Sequence, residues 1–347
     1  MKDLFKLTIK LCFIPLLLIF IKCVYTNNSG KPDWIDSPYS VYNRSQYVTV
    51  LGHSSNREIA EKNAFANLSA YFGQSIYADQ QIINTYYESI RNGVTLNWND
   101  DIGIYNSIRT STTMDLLIGA EIGDVWHDTR NNTYYAVAVM ERSKTIQSYT
   151  NIIRSNLDMI SNLINISQIE RNTLESFSRF QFAATIADMN TNYANILTLL
   201  DTSFPIRLTT SDEYRLIAQD ITRSIPINVR VINDKSNRIQ SSFANVLSNI
   251  GFRSGGFNSR YALDVYIVNT PANNPDNPFI FSRMDLTANL IDTFDNTILL
   301  PYSFSVKDGH SSIEEAENRT YILAERRIID EYNEVLSSYL SRLLPNR

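Results

Sequence analysis

Residues 116–140 read LLIGAEIGDVWHDTRNNTYYAVAVM, and this stretch decides the fold of the first half of the chain. From Leu116 to Trp126, apolar residues alternate with glycine and acidic residues, which is typical of a strand with one buried face. Asp128 to Asn132 is a run of turn residues, and the apolar run from Tyr134 to Met140 predicts a strand that returns from it. The stretch therefore predicts an antiparallel hairpin.

A strand and a helix are predicted upstream of this hairpin. Tyr47 to Leu51 is typical of a strand, which we expect to end at Gly52. Apolar residues at helical spacing follow, namely Ala60, Ala64, Leu68 and Phe72. The small alanines would let this helix lie close to a sheet. Residues 34–143 are predicted to form an α+β domain with an antiparallel sheet, although the segment from Ser75 to Tyr105 shows no assignable pattern.

After Arg142 the apolar period changes to that of a helix. One helical face carries Ile146, Tyr149, Ile153, Ile160 and Ile164. Ser167 and Glu170 have the spacing of a capping box and predict the start of a second helix. The connection near Asn165 is short, so we expect an antiparallel helical hairpin over residues 144–203.

Residues 204–347 are predicted to form a mixed α/β sandwich, with the element order helix, strand, helix, strand, hairpin, helix. Asn269 to Pro278 is rich in proline and asparagine, so we expect a loop there and no central strand. The last helix is predicted over Ser312 to Leu344. The fold class is therefore α+β, with an N-terminal antiparallel sheet and helix, a central helical hairpin and a C-terminal α/β sandwich.

Residues 1–26 have the pattern of a signal peptide or anchor. Lysines precede the uncharged run from Leu11 to Ile21, which spans roughly half of a bilayer core. Cys23 follows this run and precedes a polar tether at 27–33, which is where a lipoprotein carries its lipidated cysteine. Lys22 departs from the small residue expected before that cysteine. Lipidation of Cys23 and a leader that is cleaved elsewhere or retained both stay open.

Composition excludes several functional classes. The formal net charge is −5 and no run of five Lys or Arg residues occurs, which argues against nucleic acid as a partner. Both cysteines, Cys12 and Cys23, lie in the leader, so the body has no disulfide and no thiolate ligand.

Residues 31–145 resemble the bacterial lipoproteins of the twenty-kilodalton outer-membrane antigen type, which are related to the N-terminal domain of flagellar assembly protein T. The shared features are Lys31-Pro32-Asp33-Trp34, Val50-Leu51-Gly52, Ala60, Ala64, Phe72, Gly119, Asp124, Trp126, Asp128, Tyr135 to Val139 and Arg142. The resemblance implies an envelope lipoprotein fold and transfers no catalytic residue.

The residues offer no convincing catalytic, cofactor or metal site. The three histidines, His53, His127 and His310, are scattered, and Asp308-Gly309-His310-Ser311 is contiguous in a predicted turn, whereas a triad converges from separate segments. Asn97, Asn99 and Asp101 alternate as calcium ligands would, but the later positions of that motif do not fit. His127, between Trp126 and Asp128, is where a site would first be sought.

The sequence therefore predicts a non-catalytic, exported cell-envelope protein or lipoprotein that acts through protein–protein contacts in envelope or surface-structure assembly. Its expected partners are envelope proteins or a second copy, with the membrane reached through the leader or its lipid, in the periplasm or at the outer membrane. The alternative is a binding module for cell-wall glycan or another ligand, for which Trp34, Trp98 and Trp126 are the candidate exposed aromatic residues.

Overall fold

The computed structural model describes residues 30–72, 117–201, 207–272 and 278–344. The first half contains α1 (Asp33–Asp36), β1 (Tyr47–Ser54), α2 (Arg57–Tyr71), β2 (Ala120–Asp128), β3 (Thr133–Glu141), α3 (Arg142–Ile164) and α4 (Leu174–Leu200). The second half contains α5 (Ser211–Ser224), β4 (Ile227–Ile232), α6 (Arg238–Ile250), β5 (Tyr261–Ala272), β6 (Ile280–Asp292), β7 (Thr297–His310), α7 (Ile313–Arg327) and α8 (Asn333–Ser341). The predicted α+β class is confirmed.

The N-terminal sheet is antiparallel throughout, with the strand order β1-β3-β2. The prediction that the first strand ends at Gly52 is wrong, because β1 continues to Ser54 and Gly52 pairs with Ala136. Helix α2 crosses β1 at this glycine, and the buried residues Ala60 and Ala64 face it. The glycine therefore serves close helix–strand packing.

The helical hairpin is antiparallel, as predicted. Tyr149 on α3 contacts Tyr193 on α4, and near the connection the Arg179 Nε donates to the carbonyl of Leu163 at 2.8 Å. The predicted start of the second helix is wrong. Thr173 and Ser176 form the capping box of α4, whereas the earlier pair of Ser167 and Glu170 hydrogen-bond each other within the connection.

Helix α4 belongs to two hydrophobic cores. Its first half, from Leu174 to Ala187, packs into the C-terminal core, and Met189 to Leu200 packs into the core beneath α2. At 1.5 Å per residue, the 27 residues of α4 span about 40 Å. Apolar residues therefore occur all round α4, because opposite ends of the helix are covered by different parts of the chain.

The C-terminal sheet has the strand order β4-β5-β6-β7, with β4 and β5 parallel and the remaining pairs antiparallel. The predicted loop over Asn269–Pro278 is wrong in its first part, because β5 continues to Ala272 and Pro271 pairs with Ser282. Strand β4 pairs with β5 only as far as Tyr266. Pro271 therefore lies where β5 is an edge strand, and an edge tolerates a missing N–H.

Helices α6 and α7 cover one face of this sheet, and α8 contacts α4. The last helix begins as predicted, with the Ser312 hydroxyl accepting from the Glu315 N–H at 3.3 Å, but it ends at Ser341 and a π-helical turn, Ile328–Tyr332, interrupts it. None of the helices in the described ranges is long and apolar enough to cross a membrane.

Candidate functional site

A cleft of about 430 Å³ opens along the outer edge of β2. It is lined by Arg57, Ile122, Gly123, Asp124, Val125, His127 and Tyr134. The residues come from the start of α2, the edge strand β2 and its neighbour β3. The local fold brings them together because β2 and β3 form the predicted hairpin and α2 lies across the same sheet.

The backbone of β2 presents unpaired groups to this cleft. Residues in antiparallel strands bond alternately to one side and the other. On β1, the carbonyls of Leu51 and His53 point away from β3, since they accept from the side chains of α2. The register between β1 and β3, and between β3 and β2, extends this alternation to β2. There, the N–H and C=O groups of Val125 and His127 point outward, away from β3. Among the described residues, no strand pairs with this edge.

The opposite edge of the sheet is protected. Asn67 Nδ2 donates to the Leu51 carbonyl at 2.9 Å, and Asn63 Nδ2 donates to the His53 carbonyl at 3.0 Å. These amides occupy carbonyls that an added strand would need. The two edges of the sheet therefore differ, and β2 is the accessible one.

A β-bulge shapes the floor of the cleft. The register of β2 shifts between Ile122 and Asp124, so that Gly123 is the extra residue. A Cβ atom at Gly123 would lie 2.5 Å from the Tyr42 hydroxyl, so the glycine lets Tyr42 approach the strand. Burial, followed by the nearby Asp124 carboxylate, raises the pKa of Tyr42.

His127 is fixed in place by its ring. It stacks on Tyr134 with a centroid distance of 4.0 Å, and its Nε2 lies 3.3 Å from Asn132 Oδ1. The adjacent Asp128 is occupied in the hairpin turn, where it accepts from the Arg130 N–H and from the Asn131 amide. Among the described residues, the contacts that position His127 are therefore an amide and an aromatic ring.

The three histidines do not converge. His53 and His127 lie at the same end of the N-terminal sheet on opposite faces, and His310 ends β7 in the other sheet. Asp308 to His310 was predicted to be a turn, but these residues belong to β7 and pair with β6. Ser311 Oγ lies 3.2 Å from His310 Nδ1, and the next residue, Ser312, caps α7.

The tryptophans differ in exposure. Trp34 is 4% exposed and packs on Val137 and Val139, so its prediction as an exposed binding residue is wrong. Trp126 is half-buried beside Tyr135, with ring centroids 5.7 Å apart, and His53 lies 6.0 Å beyond Tyr135. The remaining candidates lie outside the described residues: Trp98, Asn97, Asn99, Asp101 and Cys23.

Two of the residues on which the family resemblance rests, Gly119 and Arg142, have structural roles. Gly119 has a positive φ of 84°, and its space is closed by the Thr145 side chain. Arg142 donates to the Leu200 carbonyl at 2.8 Å and to the Arg44 carbonyl at 3.2 Å, which joins the end of α4 to the N-terminal domain. Within the described ranges, no group of three His, Cys, Asp or Glu residues is arranged to hold a metal ion.

His127 is a residue that the sequence indicates, whereas the open sheet edge on which it lies was not predicted. Arg57 pairs with Glu61, with an Nε to Oε1 distance of 2.8 Å, and lines the cleft from α2. The sequence signal for Arg57 was its position at the start of the helix that follows β1. The asparagines Asn63 and Asn67, one helical turn apart, were the signal that one edge of the sheet is blocked.

No protein-family model matches the chain, and no curated protein matches it in sequence. Solved structures do match. The secreted protein HP1454 of Helicobacter pylori has a TM-score of 0.41 at 10% identity, over 82% of this chain and 98% of that one. A minor lipoprotein from Acinetobacter baumannii has a TM-score of 0.24 at 16% identity, over 34% of this chain and 92% of that one.

Lipoprotein GNA1162 from Neisseria meningitidis has a TM-score of 0.18 at 12% identity, over 29% of this chain and 93% of that one. Identities of this size do not assign the chain to a family, and the relation to flagellar assembly protein T stays a prediction. The solved structures that this chain is similar to include bacterial secreted proteins and lipoproteins.

Proposed function

We propose that the chain is a non-catalytic, exported envelope protein that binds another protein by strand addition. A strand of that partner pairs with the edge of β2. The observation that supports this proposal is the asymmetry of the N-terminal sheet. The edge of β1 is closed by Asn63 and Asn67, whereas β2 presents outward backbone groups beside a cleft. In β-strand addition, such backbone groups provide affinity and the adjoining pocket provides specificity.

The cleft indicates the chemistry of the incoming segment. Ile122 and Val125 offer apolar contacts, the ring of His127 offers a flat surface, and Arg57 and Asp124 provide opposite charges. An extended peptide places alternate side chains on one face. The expected partner segment therefore has apolar or aromatic residues at alternate positions, with charged residues of both signs beside them.

Export and anchoring in this proposal rest on the leader. We expect that replacing Cys23→Ser abolishes lipid labelling of the chain and moves it from the membrane to the soluble fraction, because a thioether-linked lipid requires this thiol. The measurement is labelling with radioactive palmitate together with cell fractionation, and Cys12→Ser is the matched control within the same leader. Unchanged labelling in the Cys23 variant would show that the lipoprotein prediction is wrong.

We expect Val125→Pro to abolish partner binding while Val125→Thr preserves it. Proline removes the outward N–H at this position but none of the hydrogen bonds to β3, and edge strands tolerate proline. A photo-crosslinking residue in place of Glu121, an exposed residue of β2 outside the cleft lining, should form an adduct with an envelope protein when it is introduced into the full chain in cells. That adduct should persist with Thr at 125 and fall at least tenfold with Pro, whereas a crosslinker at the exposed Leu216 of α5 should not form it.

Amide hydrogen exchange provides the control for an open edge. In the free protein, the amides of Val125 and His127 should exchange quickly, and the amide of Trp126, which faces β3, should exchange slowly. Slow exchange at all three positions would mean that the edge is already paired. That result, or an adduct insensitive to proline at 125, would overturn strand addition at β2.

Glycan binding is the second candidate function. The observation in its favour is the row of rings formed by His53, Tyr135 and Trp126 on the face of the sheet opposite His127. The two functions use different faces, so the Val125→Pro variant should retain glycan binding. Soluble muropeptides that shift the NMR signals of these rings would support this candidate.

A further inference from the structure

Three apolar side chains stand out by their exposure in the described part of the chain. Ile169 is 92% exposed, Phe257 is 91% exposed and Phe294 is 77% exposed, and the next large apolar residue, Leu216, is 61% exposed. The three residues come from three different connections, namely α3–α4, α6–β5 and β6–β7. Single exposed apolar residues are ordinary on proteins, but a convergent group marks a contact site.

The three connections meet at one end of the C-terminal sheet. The Thr293 N–H, in the β6–β7 turn, donates to the Arg260 carbonyl at 2.7 Å, which ties that turn to the α6–β5 connection. The Leu174 N–H, at the end of the α3–α4 connection, lies 3.4 Å from the Tyr261 hydroxyl. Phe177 and Phe252 contact each other beneath, at 5.1 Å. We call this end, with Ile169, Phe257 and Phe294 at its surface, the loop end.

Phe294 is held outward by its surroundings. The Arg260 guanidinium lies 5.0 Å from the Phe294 ring centroid and also pairs with Asp292. The Phe294 N–H donates to Asp292 Oδ1 at 3.0 Å, so the turn is closed by its own hydrogen bonds. The exposed ring therefore belongs to an ordered turn, which reduces the entropy that must be lost when it is buried.

The charges at the loop end nearly balance. Charged residues of both signs lie in or beside the three connections, namely Arg171, Arg253 and Arg260, and Glu170, Asp292 and Asp295. Attraction to an anionic surface is therefore small. A partner for the loop end must be recognised mainly by its apolar character.

We propose that the loop end inserts Ile169, Phe257 and Phe294 into the surface of a lipid bilayer. Protein interfaces have a contiguous, closely packed centre, whereas these side chains come from three neighbouring connections with polar backbone between them. A bilayer surface can flow around each of them, and aromatic residues are favoured at that depth. The choice of a bilayer rests on the proposed function, in which the leader delivers the chain to a membrane.

The loop end is separate from the predicted anchor. The leader joins the N-terminal domain, which packs on the far end of α4, about 40 Å from Leu174. Anchoring through the leader therefore does not by itself require the loop end to enter lipid. Protection of the three side chains by lipid reports on the loop end itself.

The test is oxidative footprinting of the full chain, read by mass spectrometry, with and without phosphatidylcholine vesicles. Oxidation of Phe257 and Phe294 should fall at least fivefold with vesicles, while the exposed residues Tyr71 on α2 and Tyr266 on β5 should be unaffected. Burial of one Phe ring strengthens partitioning of the protein into the bilayer roughly tenfold. Phe257→Ser should therefore restore oxidation of Phe294, and Leu216→Ser should not. Raising the salt concentration should leave the protection unchanged.

Three results would overturn the proposal. Equal oxidation with and without vesicles would exclude insertion, and protection that rises with protein concentration without lipid would assign the loop end to contacts between copies. Protection that needs anionic lipid and disappears in salt would indicate a charge-driven contact. The Cys23→Ser labelling experiment remains informative in each case, so failure of the loop end and failure of membrane delivery are distinguishable.

Discussion

Gly52→Ala is expected to destabilise the protein by about 3 kcal/mol, the upper end of the usual range for overpacking. A Cβ atom at this position would lie 2.7 Å from the Cα of Ala64 and closer still to Ala64 N and the Ala60 carbonyl. These neighbours are backbone atoms of α2, so no side chain can rotate away. The whole helix must move, and the core formed by Leu68 and Met140 must open with it.

Gly256→Ala is the matched control. No heavy atom lies within 4 Å of the Cβ that this substitution would add, and the φ angle of Gly256 is not in the left-handed region. Its effect on the free energy of unfolding should stay within about 0.5 kcal/mol of zero. Urea unfolding followed by tryptophan fluorescence measures both variants. Equal midpoints for the two would show that α2 does not depend on the glycine at position 52.

The types of the elements were predictable because each long element has a clear apolar period. The hairpin of β2 and β3, both helices of the central hairpin and the last helix follow directly from such periods. The element boundaries that were predicted wrongly involve residues that are compatible with two different structures. Gly52 can end a strand or admit a helix, and Pro271 can break a strand or occupy its free edge. The choice depends on which element lies alongside, which the local sequence does not contain.

The candidate site was less predictable than the fold. Which edge of a sheet is open depends on strand order, and the order β1-β3-β2 places the first strand beside the third. The neighbours Trp126 and Asp128 indicated His127 in the sequence, but the cleft depends on the bulge at Gly123. The loop end has a clearer signal in the sequence than the cleft has, since Phe294 is an aromatic residue between turn residues.

Helix α4 is expected to couple the two cores, and Thr191→Pro should separate them. Ala187 lies in the C-terminal core and Met189 in the N-terminal core, so residue 191 is close to the point where the helix passes from one to the other. Thr191 is exposed, and proline there removes the bond from its N–H to the Ala187 carbonyl and clashes with that carbonyl. The expected loss is about 3 kcal/mol or more without loss of core packing.

Two probes can follow the cores separately. All three tryptophans lie in the first 126 residues, so their fluorescence reports on the N-terminal domain, while circular dichroism reports on the helices of the whole chain. The two probes should give the same urea midpoint in the unmodified protein and different midpoints in the Thr191→Pro variant. Thr191→Ala removes only the hydroxyl bond to the Ala187 carbonyl, and Glu175→Pro places proline in the first turn of α4, where it is tolerated.

Both control variants should keep coincident midpoints close to those of the unmodified protein. If Thr191→Pro also keeps them coincident, the cores must be coupled through contacts other than α4. Arg142 would then be the next residue to replace, because its bonds to the Leu200 and Arg44 carbonyls tie the end of α4 to the segment before β1. A continuous helix shared by two cores transmits instability in either direction, so substitutions at the loop end should also lower the fluorescence midpoint when they unfold the C-terminal core.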